Sequence, residues 1–185
     1  MTEGRTYSVV GVVGSPEAGA RTSTAVAGVL AGAAKAGCRT SLAEISEQPI
    51  DEVVAQIDRA DAVVFGSPVY RATYSAMLKQ LLETTQRGRH GETTAPLRGK
   101  AAAIVMTGAS EHHFLSVDGL RAVLATFFAV QVLSPSLYLD HAGFIDRNTL
   151  TDEMTTLTTA HGTALADLTE AVRGSARLSA MEPLV

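Results

Sequence analysis

The chain has 185 residues, 46% of them hydrophobic, enough to build a substantial core in one domain spanning 1–185. Its formal charge of −4, with no basic cluster, excludes a nucleic-acid surface, because binding a phosphate backbone needs a positive patch. Cys38 is the only cysteine, which excludes an internal disulfide, a Cys-rich zinc site and a CxxC redox pair; with no signal-peptide pattern and no apolar run of membrane-spanning length, the expected location is cytoplasmic, away from any membrane.

Tyr7 to Val13, YSVVGVV, is a β-branched run that reads as a buried strand. It leads into GSPEAGARTST, a loop of small and hydroxyl residues holding one arginine, and the Ala/Val/Leu stretch from about Ser23 to Lys35 then reads as a helix stopped by Gly37. RTSLAEI is a weaker strand. DEVVAQIDRA has helical spacing and precedes DAVVFGS, a second apolar strand ended by Gly66 and Pro68. YSAMLKQLLETTQ is an amphipathic helix and KAAAIVMTG another buried strand. A helix around Val117 to Val130 follows, then a strand near Val132 to Leu139 interrupted by Pro135, and a final helix from Asp152 to Arg173. From about residue 174, GSARLSAMEPLV reads as a frayed or partner-docking tail.

Strands alternate with helices throughout, which implies a parallel sheet covered on both faces. Five strands make this a flavodoxin-like, doubly wound α/β fold with order 2-1-3-4-5. Its ligand crevice lies beyond the carboxyl ends of the strands, at the switch point between the first and third. Three loops then face one crevice: 14–23, 66–74 and 107–113.

The first loop is neither a Walker motif nor a GxGxxG turn. Backbone amides after Gly14, the hydroxyls of Ser15, Thr22 and Ser23 and the Arg21 guanidinium form a donor set suited to a terminal phosphate at a helix N-terminus. The competing account is a helix capped by its own hydroxyls, but capping does not require so many donors. In the second loop, Tyr70 or Tyr74 suits a flat heteroaromatic ring, and free backbone amides near Pro68 suit its polar edge; packing at the helix entry explains both tyrosines equally well. In the third, Gly108 after Thr107 permits close backbone approach to a ligand. His112 and His113 are adjacent, share no helix face and have no partners at ligand spacing, so no metal is expected. A Ser67, His113, Asp118 hydrolase triad lacks the GxSxG elbow.

Taken together, GSPEAGARTST, GSPVYRATYSAMLKQLLE and TGASEHHFLSVDGLRAVL resemble the NAD(P)H-dependent FMN reductases. The likeness is greatest to the flavin reductases that supply two-component sulfonate monooxygenases, and it extends through about Phe144. The resemblance implies FMN, with its phosphate at Ser15, Arg21, Thr22 and Ser23 and its ring against Pro68, Val69, Tyr70 and Arg71. It puts Thr107, Gly108 and Ala109 on the pyrimidine side, with His113 in the same loop. NADPH or NADH is the implied reductant. Hydride passes through the flavin, so no side chain is expected to be catalytic.

The implied partners are a flavin-dependent monooxygenase and further copies of the chain, in a homodimer or homotetramer for which MLKQLLETTQ and LATFFAV are expected to expose apolar surface. The alternatives are an FMN-containing quinone, azo-dye or metal-ion reductase, and a flavin-binding electron-transfer or regulatory protein without turnover. Three departures stand out. Glu17 occupies a position where relatives often carry a basic residue, Ala109 replaces the second glycine of a Thr-Gly-Gly, and Val117-Asp118 runs directly into Gly119-Leu120.

Overall fold

The apolar runs become the strands of one parallel sheet in the computed structural model, which describes residues 6–184. In chain order the elements are β1 (Ser8–Val13), α1 (Arg21–Lys35), β2 (Arg39–Glu44), α2 (Ile50–Arg59), β3 (Ala62–Pro68), α3 (Ala76–Thr84), β4 (Ala101–Thr107) and α4 (Val117–Ala122). They continue through β5 (Gln131–Val132), β6 (Leu137–Leu139), β7 (Phe144–Asp146), β8 (Thr149–Leu150), α5 (Asp152–Gly174) and α6 (Ala176–Ser179). The sheet order is β2-β1-β3-β4-β5, as expected, with β6 also pairing β4.

Alternation along each strand divides the core in two. Val10, Val12, Phe65, Ile104 and Met106 face α2, α3 and α4. Val9, Val13, Val64 and Val105 face α1 and α5. Because both faces are covered, the strand sequences are apolar at nearly every position rather than alternating with polar residues.

The tightest packing is between α1 and α5. A Cβ added to Gly162 would lie 2.0 Å from the Val29 carbonyl oxygen, and one on Gly32 2.1 Å from that of Thr159. The two backbones therefore touch, and α1 is held in place along its length. At the opposite end of the sheet from the loops, Lys100 is buried and donates to the carbonyls of Ile57, Asp58 and Ala60 at 2.6, 2.7 and 2.5 Å, closing the C-terminus of α2. Burial pulls its ammonium down to about 8, against the pull of Asp58 and Asp61, so at neutral pH it still carries the proton that the third carbonyl requires.

The chain departs from the sequence reading in several places. The expected helix over 117–130 is α4 followed by a π-helical turn (Val123–Phe127), with Ala129 at φ 56°, and a 3₁₀ segment (Glu111–Ser116) precedes it. Apolar spacing at Val117, Leu120, Leu124 and Phe128 reports which face is buried, not which hydrogen-bond step closes each turn. The expected fifth strand is split into β5 and β6 around Pro135. An unforeseen hairpin, β7–β8, precedes α5; Asp146 fixes its turn by accepting from the Asn148 amide (2.8 Å) and the Thr149 hydroxyl (3.1 Å).

Among residues 175–184, 176–179 form α6 and the segment packs back on the chain, where Glu182 pairs with Arg98 and the Pro183 carbonyl accepts from Arg89 at 2.6 Å. The apolar surface also lies partly elsewhere than expected. Leu78, Leu81, Leu82, Leu124 and Phe128 are buried, and Phe127 sits under the Arg87 guanidinium at 3.8 Å. Phe127 stays 42% exposed, as expected for that segment, while Phe114 (57%) and Leu115 (62%) on the 3₁₀ segment and Ile145 on the hairpin are more exposed still.

Gly162→Val is expected to destabilise the fold by about 1–3 kcal/mol, because the α1 backbone has no room to yield. Urea unfolding followed by circular dichroism measures this, and an unchanged midpoint would contradict the close packing.

Candidate functional site

Loops at the carboxyl ends of β1, β3 and β4 converge on one cleft. The first leaves β1 at Gly14, whose amide donates to the Gly66 carbonyl at 2.8 Å and whose missing side chain admits Leu78, with a Cβ there only 2.7 Å from the leucine Cβ. At Gly19, with φ 63°, the backbone turns into α1, and the Gly19 amide donates to the buried Glu44 at 3.3 Å. Helix α1 then starts behind Ala20 with no side-chain cap. In contrast, Ser75 caps α3 and Thr151 caps α5, each accepting from an amide three residues on.

The hydroxyls of the first loop are thus not caps. Thr22 Oγ1 is 2.6 Å from Thr107 Oγ1, which joins the first loop to the third. Ser15 Oγ accepts from the Glu17 amide at 3.3 Å. Ser23 Oγ is buried and has no hydrogen-bond partner. An uncapped first turn leaves amide donors of the kind an anion satisfies.

Ser67 and Ser75 build the second loop, and sequence reasoning gave neither this part. Fully buried Ser67 donates to the Pro68 carbonyl (2.9 Å) and accepts from the Ser75 amide (2.8 Å). Ser75 Oγ in turn donates to the Gly14 carbonyl at 2.5 Å, tying the second loop to the first. Ser67 is therefore a structural hydroxyl with no access to substrate, which removes the hydrolase reading.

Tyr70 and Thr73 exchange backbone hydrogen bonds of 2.9 and 3.2 Å around Arg71 (φ 52°) and Ala72 (φ 64°), a two-residue turn in the left-handed region. Tyr70 stands half exposed beside it. The amides near Pro68 are not free, since Val69 N–H donates to the Thr107 carbonyl at 2.8 Å and Tyr70 N–H to Thr73.

In the third loop Gly108 serves a different close approach from the one expected. A Cβ there would lie 1.9 Å from the Tyr138 hydroxyl, which donates to the Ser110 carbonyl at 2.6 Å. Burial, with help from Asp140, pushes the Tyr138 phenol up and keeps it a neutral donor. Ala109 is not among the residues with positive φ, so replacing the second glycine imposes no strain. Its carbonyl accepts from His141 Nδ1–H at 2.8 Å.

The cleft enclosed by these loops has a volume of about 480 Å³. Ser15, Arg21 and Thr22 line it from the first loop, Pro68, Val69 and Tyr70 from the second, and Thr107, Gly108 and Ala109 from the third. Three predicted residues are not on its wall: Ser23 is buried, Arg71 occupies the exposed turn, and His113 is exposed on the 3₁₀ segment, 3.5 Å from Ser110 Oγ. Glu17, the departure in the first loop, and Arg147, unforeseen, also line the cleft. Arg147 comes from the β7–β8 turn, which the sequence reading did not recognise as an element. The only carboxylate on the wall, Glu17, is paired with it at 2.6 Å. No acid-base pair faces the cleft among the described residues. It is equipped to bind and orient a ligand rather than to move its protons.

Comparisons with known proteins agree with this geometry. The family described as NADPH-dependent FMN reductase matches residues 7–143. The chain is 34% identical over 88 residues to the NADH-dependent FMN reductase SfnF of Pseudomonas putida, covering 48% of this chain and 44% of that one. It is 33% identical over 92 residues to the FMN reductase (NADPH) of Escherichia coli strain K12, covering 49% and 44%. The chain thus spans about half the length of the curated relatives it matches.

Among solved structures, the apo form of the NADH:FMN oxidoreductase EMOB superposes with a TM-score of 0.75 at 24% identity, over 88% of this chain and 90% of that one. A flavodoxin, WrbA-like protein from Agrobacterium tumefaciens gives 0.70 at 18% identity, over 90% and 99%. These two likenesses are of fold. The match over 7–143 takes in all three loops of the cleft, and the chain belongs to the NADPH-dependent FMN reductase family.

Proposed function

We infer that this chain is an NAD(P)H-dependent FMN reductase, using NADH or NADPH to reduce FMN. The observation that carries this reading is the uncapped N-terminus of α1 at a cleft lined by Ser15 and Arg21 and walled on its other sides by Tyr70 and the third loop. The redox chemistry, a two-electron hydride transfer from a reduced nicotinamide, belongs to the flavin itself.

The chain's part is positional. The first-turn amides of α1, Ser15 and the Arg21 guanidinium hold the phosphate. Pro68, Val69 and Tyr70 provide an apolar bed for the ring, and Thr107 with the backbone at Gly108 and Ala109 borders it on the side of β4. Thr22 contributes indirectly, by fixing the first loop to Thr107. Arg71, projected by its turn beyond the cleft wall, suits the phosphates of the incoming dinucleotide.

Delivery of reduced flavin to a partner monooxygenase belongs to the same reading and rests on the resemblance of the loop motifs. So does a cytoplasmic location, which the single cysteine supports; no helix among the described residues is long and apolar enough to cross a membrane. A homodimer or homotetramer would cover the exposed Phe114 and Leu115.

Three outcomes are expected. FMN binds far more tightly than riboflavin, and Arg21→Ala weakens FMN by about 1.5 kcal/mol, the low end for a charge-assisted bond because Arg21 is exposed. Flavin-fluorescence titration reads both, and equal wild-type affinities would refute the phosphate site. Tyr70→Ala lowers steady-state NAD(P)H oxidation at saturating FMN by roughly five- to thirtyfold, from ring contacts of about 1–2 kcal/mol, with an unchanged circular dichroism spectrum. Wild-type kinetics would reduce Tyr70 to packing. Light scattering at micromolar protein gives the mass of two or four chains, and a monomer would contradict the assembly.

A further inference from the structure

The β7–β8 hairpin lies outside the three strand-end loops, yet it is fastened to the first of them at three points. Arg147 Nη2 is 2.6 Å from Glu17 Oε1. The Arg147 carbonyl accepts from the Thr24 hydroxyl, in the opening turns of α1, at 3.2 Å. The Arg21 guanidinium stands 5.7 Å from the ring centroid of Phe144, the first residue of β7. The hairpin turn is itself fixed by Asp146, so the Arg147 backbone is set at the mouth of the cleft and its side chain lines the wall.

We propose that Arg147 is a phosphate-binding residue of the cleft: a cation brought in by the hairpin to a first loop that carries Glu17, taking a phosphate monoester of the ligand bound there. This rests on the reading of the cleft as a flavin and nicotinamide site. Glu17 is the resting partner of the guanidinium and not a strong competitor. The side chains of Arg147 and Glu17 are 48% and 69% exposed, and an ion pair so open to water is weak. A phosphate dianion offers the same planar fork more charge and more acceptor oxygens, in a cleft that already presents the unmet amides of α1. Arg21 and Arg147 then approach the phosphate from the helix and hairpin sides, and the acidic chain gains local positive charge where the ligand needs it.

Two ligands carry such a phosphate, FMN at its ribityl end and NADPH at its 2′ position. The test uses Arg147→Met, which keeps the side-chain stem, and Arg147→Lys, which keeps the charge, with thermal unfolding as the fold control. Dissociation constants for FMN and riboflavin are measured by flavin fluorescence on the apoprotein, and those for NADP⁺ and NAD⁺ by calorimetry on the FMN-loaded protein.

The expected result is that Arg147→Met weakens FMN by about ten- to a hundredfold, leaves riboflavin within about twofold, and that Arg147→Lys recovers part of the loss. If FMN is unaffected and the variant instead loses a wild-type preference for NADP⁺ over NAD⁺, the residue serves the dinucleotide phosphate and the proposal stands in that form. Wild-type discrimination retained in both arms overturns it. A wild type that itself fails to distinguish FMN from riboflavin refutes the flavin reading of the cleft, a different failure from an inert Arg147.

Discussion

The first turn of α1 presents amide donors that no side chain of the protein satisfies, and the rest of the cleft is arranged around that fact. Ser75 caps α3 and Thr151 caps α5, whereas α2 and α4 also begin without a side-chain cap, α2 behind Pro49, which has no side chain that could serve. At α1 the hydroxyls that could do so are engaged elsewhere or left idle, Thr22 with Thr107 and Ser23 with nothing. Unmet donors at a helix terminus need water or a ligand to meet them, and those of α1, unlike the other uncapped starts, lie at an open cleft that Arg21 and Ser15 also line.

Such a site is useful only if the helix that carries it cannot drift. Contact between the backbones of α1 and α5, made through Gly32 and Gly162, fixes the axis of α1. Pairing of β1 with both β2 and β3 fixes the strand from which the first loop leaves. Ser75 then pins Gly14 to the start of α3, and the paired threonines pin the first turn of α1 to the end of β4. Loop geometry is thus set by buried hydrogen bonds between elements far apart in sequence. That is the rigid support a preorganised ligand site needs.

Those long-range bonds also explain which parts of the site were legible in the sequence. The sheet order followed from strand and helix alternation, and the three loops followed from the sheet order, because in a doubly wound sheet the ligand end is a matter of topology. Side-chain roles were harder. Sequence pattern suggests for Ser67 only a hydrolase nucleophile and for Ser75 nothing, because their bonds to each other and to Gly14 depend on a register no local pattern encodes. Gly108 reads as a close approach to a ligand; what the fold requires of it is room for Tyr138 on β6, a strand the sequence had joined to β5. The hairpin carrying Arg147 had a signal in Asp146-Arg147-Asn148 between Phe144-Ile145 and Thr149-Leu150, too brief to stand out beside the long helix that follows.

The turn holding Tyr70 completes the logic of the site. Left-handed backbone at both Arg71 and Ala72 is costly for residues with a Cβ, on the order of 1–3 kcal/mol each, and an Asn-Gly pair would relieve it. What keeps the strained form is a set of bonds on either side: the reciprocal pair between Tyr70 and Thr73, and the Val69 amide on Thr107, which extends the β3–β4 pairing beyond Pro68. These bonds spend the amides that a ligand edge would otherwise use, so recognition on this side passes from backbone to the Tyr70 side chain and to the third loop. The same turn carries Arg71 clear of the wall. Strain here separates two tasks that a relaxed loop would merge, an aromatic surface at the cleft and a cation beyond it.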